Sequence, residues 1–192
     1  MEISQDLLTG CKQGDRKAQY QLFRLCFDTL KGVCLRYQRD ESEAMAALNL
    51  GFLKILNNLD KFRREVPFDA WIRKIMINTL IDEFRKNRQV KELMEYRDFS
   101  DDQNSRGWVD INEAEQALNA SQLTAMLHAL PAMSRKVFNL FAIDGYSHQE
   151  IAGLLRISQG TSKWHVSYAR KRLQEMVKEA LSENKVIKHL TD

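Results

Sequence analysis

Proline occurs only twice in this 192-residue chain and glycine eight times, so little of it is barred from helix. Alternating apolar and polar runs bounded by turn residues, the mark of strands, are missing. Cysteine is scarce as well. Cys11, Cys26 and Cys34 form no Cys-x-x-Cys pair, and their odd number argues against a disulfide framework. They read as reduced, buried thiols in one helical stretch. No apolar run approaches the roughly 18 residues of a membrane span. Met1 to Asp6 lacks the basic-then-apolar order of a secretory signal, so a reducing cytoplasm is the expected setting. The histidines His128, His148, His165 and His189 are dispersed without ligand spacing. No nucleophile sits beside activating residues. The expectation is therefore a chain with no catalytic residue, no metal and no cofactor.

What is present suits a globular, all-α protein. Apolar residues make up 44% of the chain, enough for a packed core. Lys and Arg number 29 against 26 Asp and Glu, a net +3, so the position of the charges matters more than their sum. Asp15 is placed to cap a long helix whose inner face carries Leu22, Cys26, Leu30, Val33 and Tyr37. After a break at Arg39-Asp40, Leu48, Phe52, Ile55, Leu56 and Leu59 mark a second helix. Pro67 disfavours helix at Val66, which makes 62–67 a loop. A third helix from Phe68 to about Asn87 is apolar around much of its circumference, with Trp71, Ile72, Ile75, Ile77, Leu80, Ile81 and Phe84. Trp71 reads as core. Asn78 is polar among apolar neighbours and needs a hydrogen-bond partner. Arg85, Lys86 and Arg88 form a basic terminus suited to a nucleic-acid backbone, or to solvent.

Composition then changes. Asp98, Asp101, Asp102, Asp110, Glu113 and Glu115 face one base, Arg106, and Asn104, Ser105 and Gly107 interrupt any apolar period. The segment 96–117 reads as a flexible acidic linker between two small helical domains, 1–95 and 118–192.

The second domain is punctuated throughout. Leu127 and Leu130 end one helix, and Pro131 opens another with Val137, Phe138 and Phe141 inward. Gly145 permits a left-handed turn, and Ser147-His148-Gln149-Glu150 fits a capping box. That box opens a helix with Ile151, Ala152 and Leu155. Ile157 lies in a short turn, and Ser158 caps a long helix with Ser162, Val166, Ala169 and Leu173 inward. Short helix, tight turn and long second helix make a helix-turn-helix. Its second helix would present Gln159, Thr161, Lys163, Trp164, His165, Ser167 and Tyr168 to base edges. Arg156, Lys163, Arg170, Lys171 and Arg172 form a basic surface with no acidic residue before Glu175. Backbone donors at Gly160-Thr161 favour a phosphate. His165 fits a base or phosphate contact or plain exposure. Trp164 fits a DNA contact or a patch for a partner.

Taken together these stretches resemble the extracytoplasmic-function (ECF) sigma factors. In the first domain the resemblance rests on Gly14-Asp15 with Ala18 and Tyr20, on Phe52-Leu53, and on the spacing of Phe68, Trp71, Asn78, Asp82 and Arg85. In the second it rests on Leu130-Pro131, Gly145-Tyr146-Ser147, Glu150-Ile151-Ala152, Ile157-Ser158, Gly160-Thr161, Lys163 and Ala169-Arg170. The resemblance implies a factor that guides core RNA polymerase to promoter DNA and catalyses nothing itself. The first domain would bind the polymerase clamp through Asn49, Phe52, Leu53 and Leu56. It would hold single-stranded −10 bases near Asn78, Arg63 and Arg64, and their backbone at Arg85, Lys86 and Arg88. The second would read the −35 major groove through the Ser158 helix, and an anti-sigma factor is an implied partner. In Met45 to Phe52 the chain departs from the family pattern. Asn49 stands where Gln is usual, and Ala46 and Leu50 stand where acids are usual.

A helix-turn-helix regulator that does not load polymerase would suit Gly145 to Leu173, but usually follows a βα sensor domain. A serine recombinase would need the activated nucleophile that is missing here. A purely structural helical adaptor would not need the basic helix.

Overall fold

The structure, a computed structural model, describes residues 3–91 and 119–191, with side chains over 3–86 and 119–182. The expected acidic linker and the side chain of Arg88 lie outside the described residues. The chain divides into two compact units, Met1–Glu95 and Tyr96–Asp192. Among the described residues there are helices and no strand.

Among its described residues the first unit has four helices: α1 (Gln5–Lys12), α2 (Arg16–Tyr37), α3 (Glu41–Asn57) and α4 (Phe68–Lys91). A single 3-10 turn, Leu59–Lys61, follows α3. Side-chain oxygens start the first three. Ser4 accepts from the Leu7 N–H at 3.3 Å, Asp15 from Lys17 at 2.8 Å and Asp40 from Glu43 at 3.0 Å. Gly14, at φ 81°, makes the left-handed turn between α1 and α2. Helix α1 was not expected from the sequence, so the cysteines lie on two helices, Cys11 on α1 and Cys26 and Cys34 on α2. All three are free and buried. Burial first, and then the neighbouring Cys11, pushes Cys26 up to about 12. Burial and then Glu83 push Cys34 up to about 12.

Helices α2, α3 and α4 enclose the core. The α2 face is the expected one, with Cys34 added. Helix α3 contributes Ala44, Ala47, Leu48, Gly51 and Ile55. Helix α4 contributes Phe68, Ile72, Met76, Ile77, Leu80 and Ile81. Each large side chain so buried is worth about 1.5–3 kcal/mol against exposure. Trp71 departs from the expected core position. It is half-buried, packed on Phe62 and Phe68 with ring centroids 5.2 and 5.6 Å away, while Met76 takes a fully enclosed place. Phe52, Leu56, Ile75 and Phe84 are also half-buried rather than enclosed.

In the second unit α5 (Ala120–Ala129) is followed by α6 (Ala132–Phe138), a π-helical turn (Asn139–Ile143), α7 (His148–Leu155) and α8 (Gln159–Thr191). Among the described residues Leu127, Leu130, Val137, Leu140, Ile151, Leu155, Val166 and Ala169 are its buried apolar residues. Phe138, Leu173 and Met176 flank the part built on Leu127, Leu130 and Ala169. Phe138 and Phe141, expected inward, are half-buried.

Candidate nucleic-acid interface

The site starts with a stop and a start. Gly145, at φ 78°, ends the π turn in the left-handed region. The Ser147 hydroxyl then accepts from the Glu150 N–H at 3.2 Å, and the Glu150 carboxylate accepts from the Ser147 N–H at 2.8 Å. This reciprocal box fixes the first turn of α7. The helix ends at Arg156, which takes φ 54° and ψ 49°, an unusual conformation for a residue with a side chain. The Ile157 N–H reaches back to the Ala152 carbonyl at 3.1 Å and closes the end. Ser158 accepts from the Thr161 N–H at 2.9 Å, and α8 begins. Ser162, Val166 and Ala169 of α8 are buried. The two helices are thus held as a helix-turn-helix.

The opposite side of α8 is open. Gln159, Gly160, Lys163, Ser167, Arg170 and Lys171 are exposed, as is Arg156 at the turn. Thr161, Trp164, His165 and Tyr168 are half-buried. Arg172 is drawn to Glu175 at 2.6 Å.

Behind this surface lies a set of contacts that spacing did not reveal. Phe141 stacks on His148, with centroids 4.3 Å apart and planes 15° apart, and the Arg170 guanidinium lies 5.6 Å from the centre of the same ring. Phe141 therefore holds Arg170 by a cation–π contact. His148 Nδ1 pairs with the buried Ser162 hydroxyl at 2.9 Å. Burial first, then Lys163 and Arg170, lowers the His148 pKa and favours the neutral ring. His165 Nδ1 pairs with Ser134 of α6 at 2.9 Å, so that nitrogen faces the protein rather than solvent. His148 and Phe141 were visible only as a cap-box residue and an apolar position. The π turn brings them together, and no sequence signal marks it.

In the first unit the predicted residues occupy several places. Arg63 and Arg64 are exposed in the loop before Pro67, and Arg64 donates to the Gln5 side chain. Asn78 is half-buried two turns beyond Trp71 on α4. Arg85 is half-buried, 3.7 Å from Asp82, which also meets Lys54 at 3.6 Å. Lys86 is exposed. On α3, Asn49 is exposed and Leu56 half-buried, and Leu53 keeps 53% of its surface in solvent. Phe52 packs edge-on against Phe23 at 5.0 Å. Leu50, Tyr20 and Leu25 are further exposed apolar residues of this unit.

Among the described residues no group of three His, Cys, Asp or Glu is placed to hold a metal, and no helix is long and apolar enough to cross a membrane. Two helical units, one carrying a helix-turn-helix with a basic outer face, define a DNA-binding protein of the transcription-factor class. Residues 1–179 match the ECF sigma factor family, and the chain belongs to it. It is a factor that acts with RNA polymerase in transcription initiation. The RNA polymerase sigma-H factor of Pseudomonas aeruginosa is 26% identical over 189 residues, covering 93% of this chain and 98% of that one. The ECF RNA polymerase sigma factor SigM of Mycobacterium tuberculosis is 25% identical over 174 residues, covering 90% and 83%. A sigma factor RpoE from Bartonella quintana, solved with the anti-sigma factor NepR, shares the fold at a TM-score of 0.50 and 21% identity, covering 83% and 96%.

Proposed function

We propose that the two units divide promoter recognition between them. The unit within 118–192 lays α8 in the major groove of the −35 element. The unit within 1–95 captures unpaired bases of the −10 element, and residues 96–117 link the two. The observation that carries this is the open face of α8, where Lys163, Arg170 and Lys171 accompany uncharged reading positions and no acidic residue occurs in the helix before Glu175.

In this reading Lys163, Ser167 and Gln159 meet base edges. Arg156, Arg170, Lys171 and the backbone at Gly160-Thr161 meet phosphates. His165 acts chiefly as a brace, since Ser134 engages its Nδ1. Asn78, with Arg63 and Arg64 in the loop before α4, receives extruded bases, and Arg85, Lys86 and Arg88 follow their backbone. Leu53 and Leu50, exposed beside Asn49, Phe52 and Leu56, dock the polymerase clamp through apolar contact in place of the usual acids. An anti-sigma factor, such as the one bound to the Bartonella relative, is a further partner.

Footprinting of the holoenzyme on a responsive promoter tests the division. Lys163→Ala should lose protection of the upstream element. Asn78→Ala should keep that protection and lose the reactivity of unpaired −10 thymines to permanganate. Normal footprints and normal opening in both variants would refute the assignment.

A further inference from the structure

The outer face of α8 carries a feature that phosphate binding does not use. Trp164 lies two residues from Ser162 and two from Val166, both buried, so about 200° of helical rotation sets it opposite the core. Tyr168 lies one turn further on. Their rings stack, with centroids 5.3 Å apart and planes 18° apart. The Trp164 ring also meets His165 edge-on at 4.9 Å, and His165 is held by Ser134. The two aromatics are half-buried because they cover each other and rest on a braced neighbour, although they face away from the core. They make a rigid apolar shelf beside the row formed by Lys163, Ser167 and Lys171, all exposed.

We propose that this shelf reads the C5-methyl groups of thymines in the upstream promoter element. The proposal rests on the placement of α8 in the major groove. There thymine is the base that offers an apolar group, while the others present donors and acceptors. A stacked indole and phenol offer broad apolar surface and little entropy to lose on contact. Arg170 and Lys171 draw the DNA backbone close and bring the shelf towards the bases. Four residues of helix rise about 6 Å, and base pairs about 3.4 Å, so the pair spans one or two adjacent base steps. One buried methyl group corresponds to about a fourfold change in affinity.

The test uses holoenzyme assembled from the full chain and core RNA polymerase. Duplexes with a randomised upstream element are selected by binding. The selected duplex is then rebuilt with deoxyuridine in place of each thymine in turn, which removes only the methyl group. Wild-type holoenzyme should lose about three- to fivefold at one or two adjacent positions. Trp164→Ala should bind more weakly and no longer distinguish thymine from uracil there, while Trp164→Phe should keep part of the distinction. Lys163→Ala should bind more weakly yet distinguish the two bases as before. Equal affinity for uracil and thymine duplexes would overturn the shelf and leave the groove assignment standing. So would unchanged discrimination by Trp164→Ala, or loss of polymerase assembly by that variant without DNA, which would give the patch to a protein partner. Selection of no upstream element at all would overturn both readings.

Discussion

Gly51 and Gly32 offer the same chemical change in opposite surroundings. Both lie inside helices, Gly51 in α3 and Gly32 in α2. Glycine to alanine in a helix interior is worth about 0.5–1 kcal/mol through backbone entropy. At Gly32 an added Cβ meets nothing within 4 Å, so Gly32→Ala should stabilise the first unit by about that amount. At Gly51 the added Cβ would run into the Met76 thioether, with its Cε only 2.8 Å away. Methionine is flexible, but Met76 is fully buried and has no solvent to retreat into. Overpacking of this kind costs about 1–3 kcal/mol. Set against the same helix gain, Gly51→Ala should destabilise by up to about 2.5 kcal/mol. Urea denaturation followed by circular dichroism and by tryptophan fluorescence measures both variants. The two should shift the midpoint of the first unit's transition in opposite directions. A stabilised Gly51→Ala would refute the close packing of α3 on α4.

Other outcomes follow from particular contacts. Ser147→Ala removes one arm of the capping box and should cost about 1 kcal/mol in the second unit, read from its denaturation midpoint. His148 has a folded pKa below the ordinary 6.5, so its contribution to stability is intact above pH 6.5 and is lost as pH falls through the folded value. A pH series should show the second unit weakening below pH 6.5, and His148→Gln should flatten that decline. Cys26 and Cys34, pushed up to about 12 and buried, should resist a thiol reagent at pH 8 until the chain is denatured. Rapid labelling of either in the native protein would contradict their burial.

Local signals in the sequence carried most of the architecture. A capping box spans four residues and is complete in itself, so Ser147 and Glu150 located α7 without tertiary information. The same holds for Asp15, Ser158 and the glycine at 145. Helix α1 leaves no periodic mark, because eight residues give too few turns to establish a period. Trp71 departs from expectation for a different reason. Helix α4 is apolar on most sides, so periodicity cannot say which side its neighbours cover. Phe62 of the preceding loop and Phe68 at the start of α4 hold Trp71 half-buried, and Met76 fills the centre.

The site was legible as a list of polar positions on one helix, but not as an assembly. Which residues face outward follows from Ser162, Val166 and Ala169 being inside. What holds them does not. Phe141 and Arg170 are 29 positions apart, and a π turn with no sequence mark brings them into register. The pairing of His165 with Ser134 likewise depends on how α6 packs against α8, which spacing along one helix does not show.

The division of labour between the units is tested most directly by run-off transcription with core polymerase on two versions of one promoter, one fully duplex and one already melted across its −10 element. Asn78→Ala should transcribe poorly from the duplex and recover on the melted template, because the step it serves has been done for it. Lys163→Ala should remain impaired on both. Recovery of neither variant, or of both alike, would contradict the separation of base capture from groove reading.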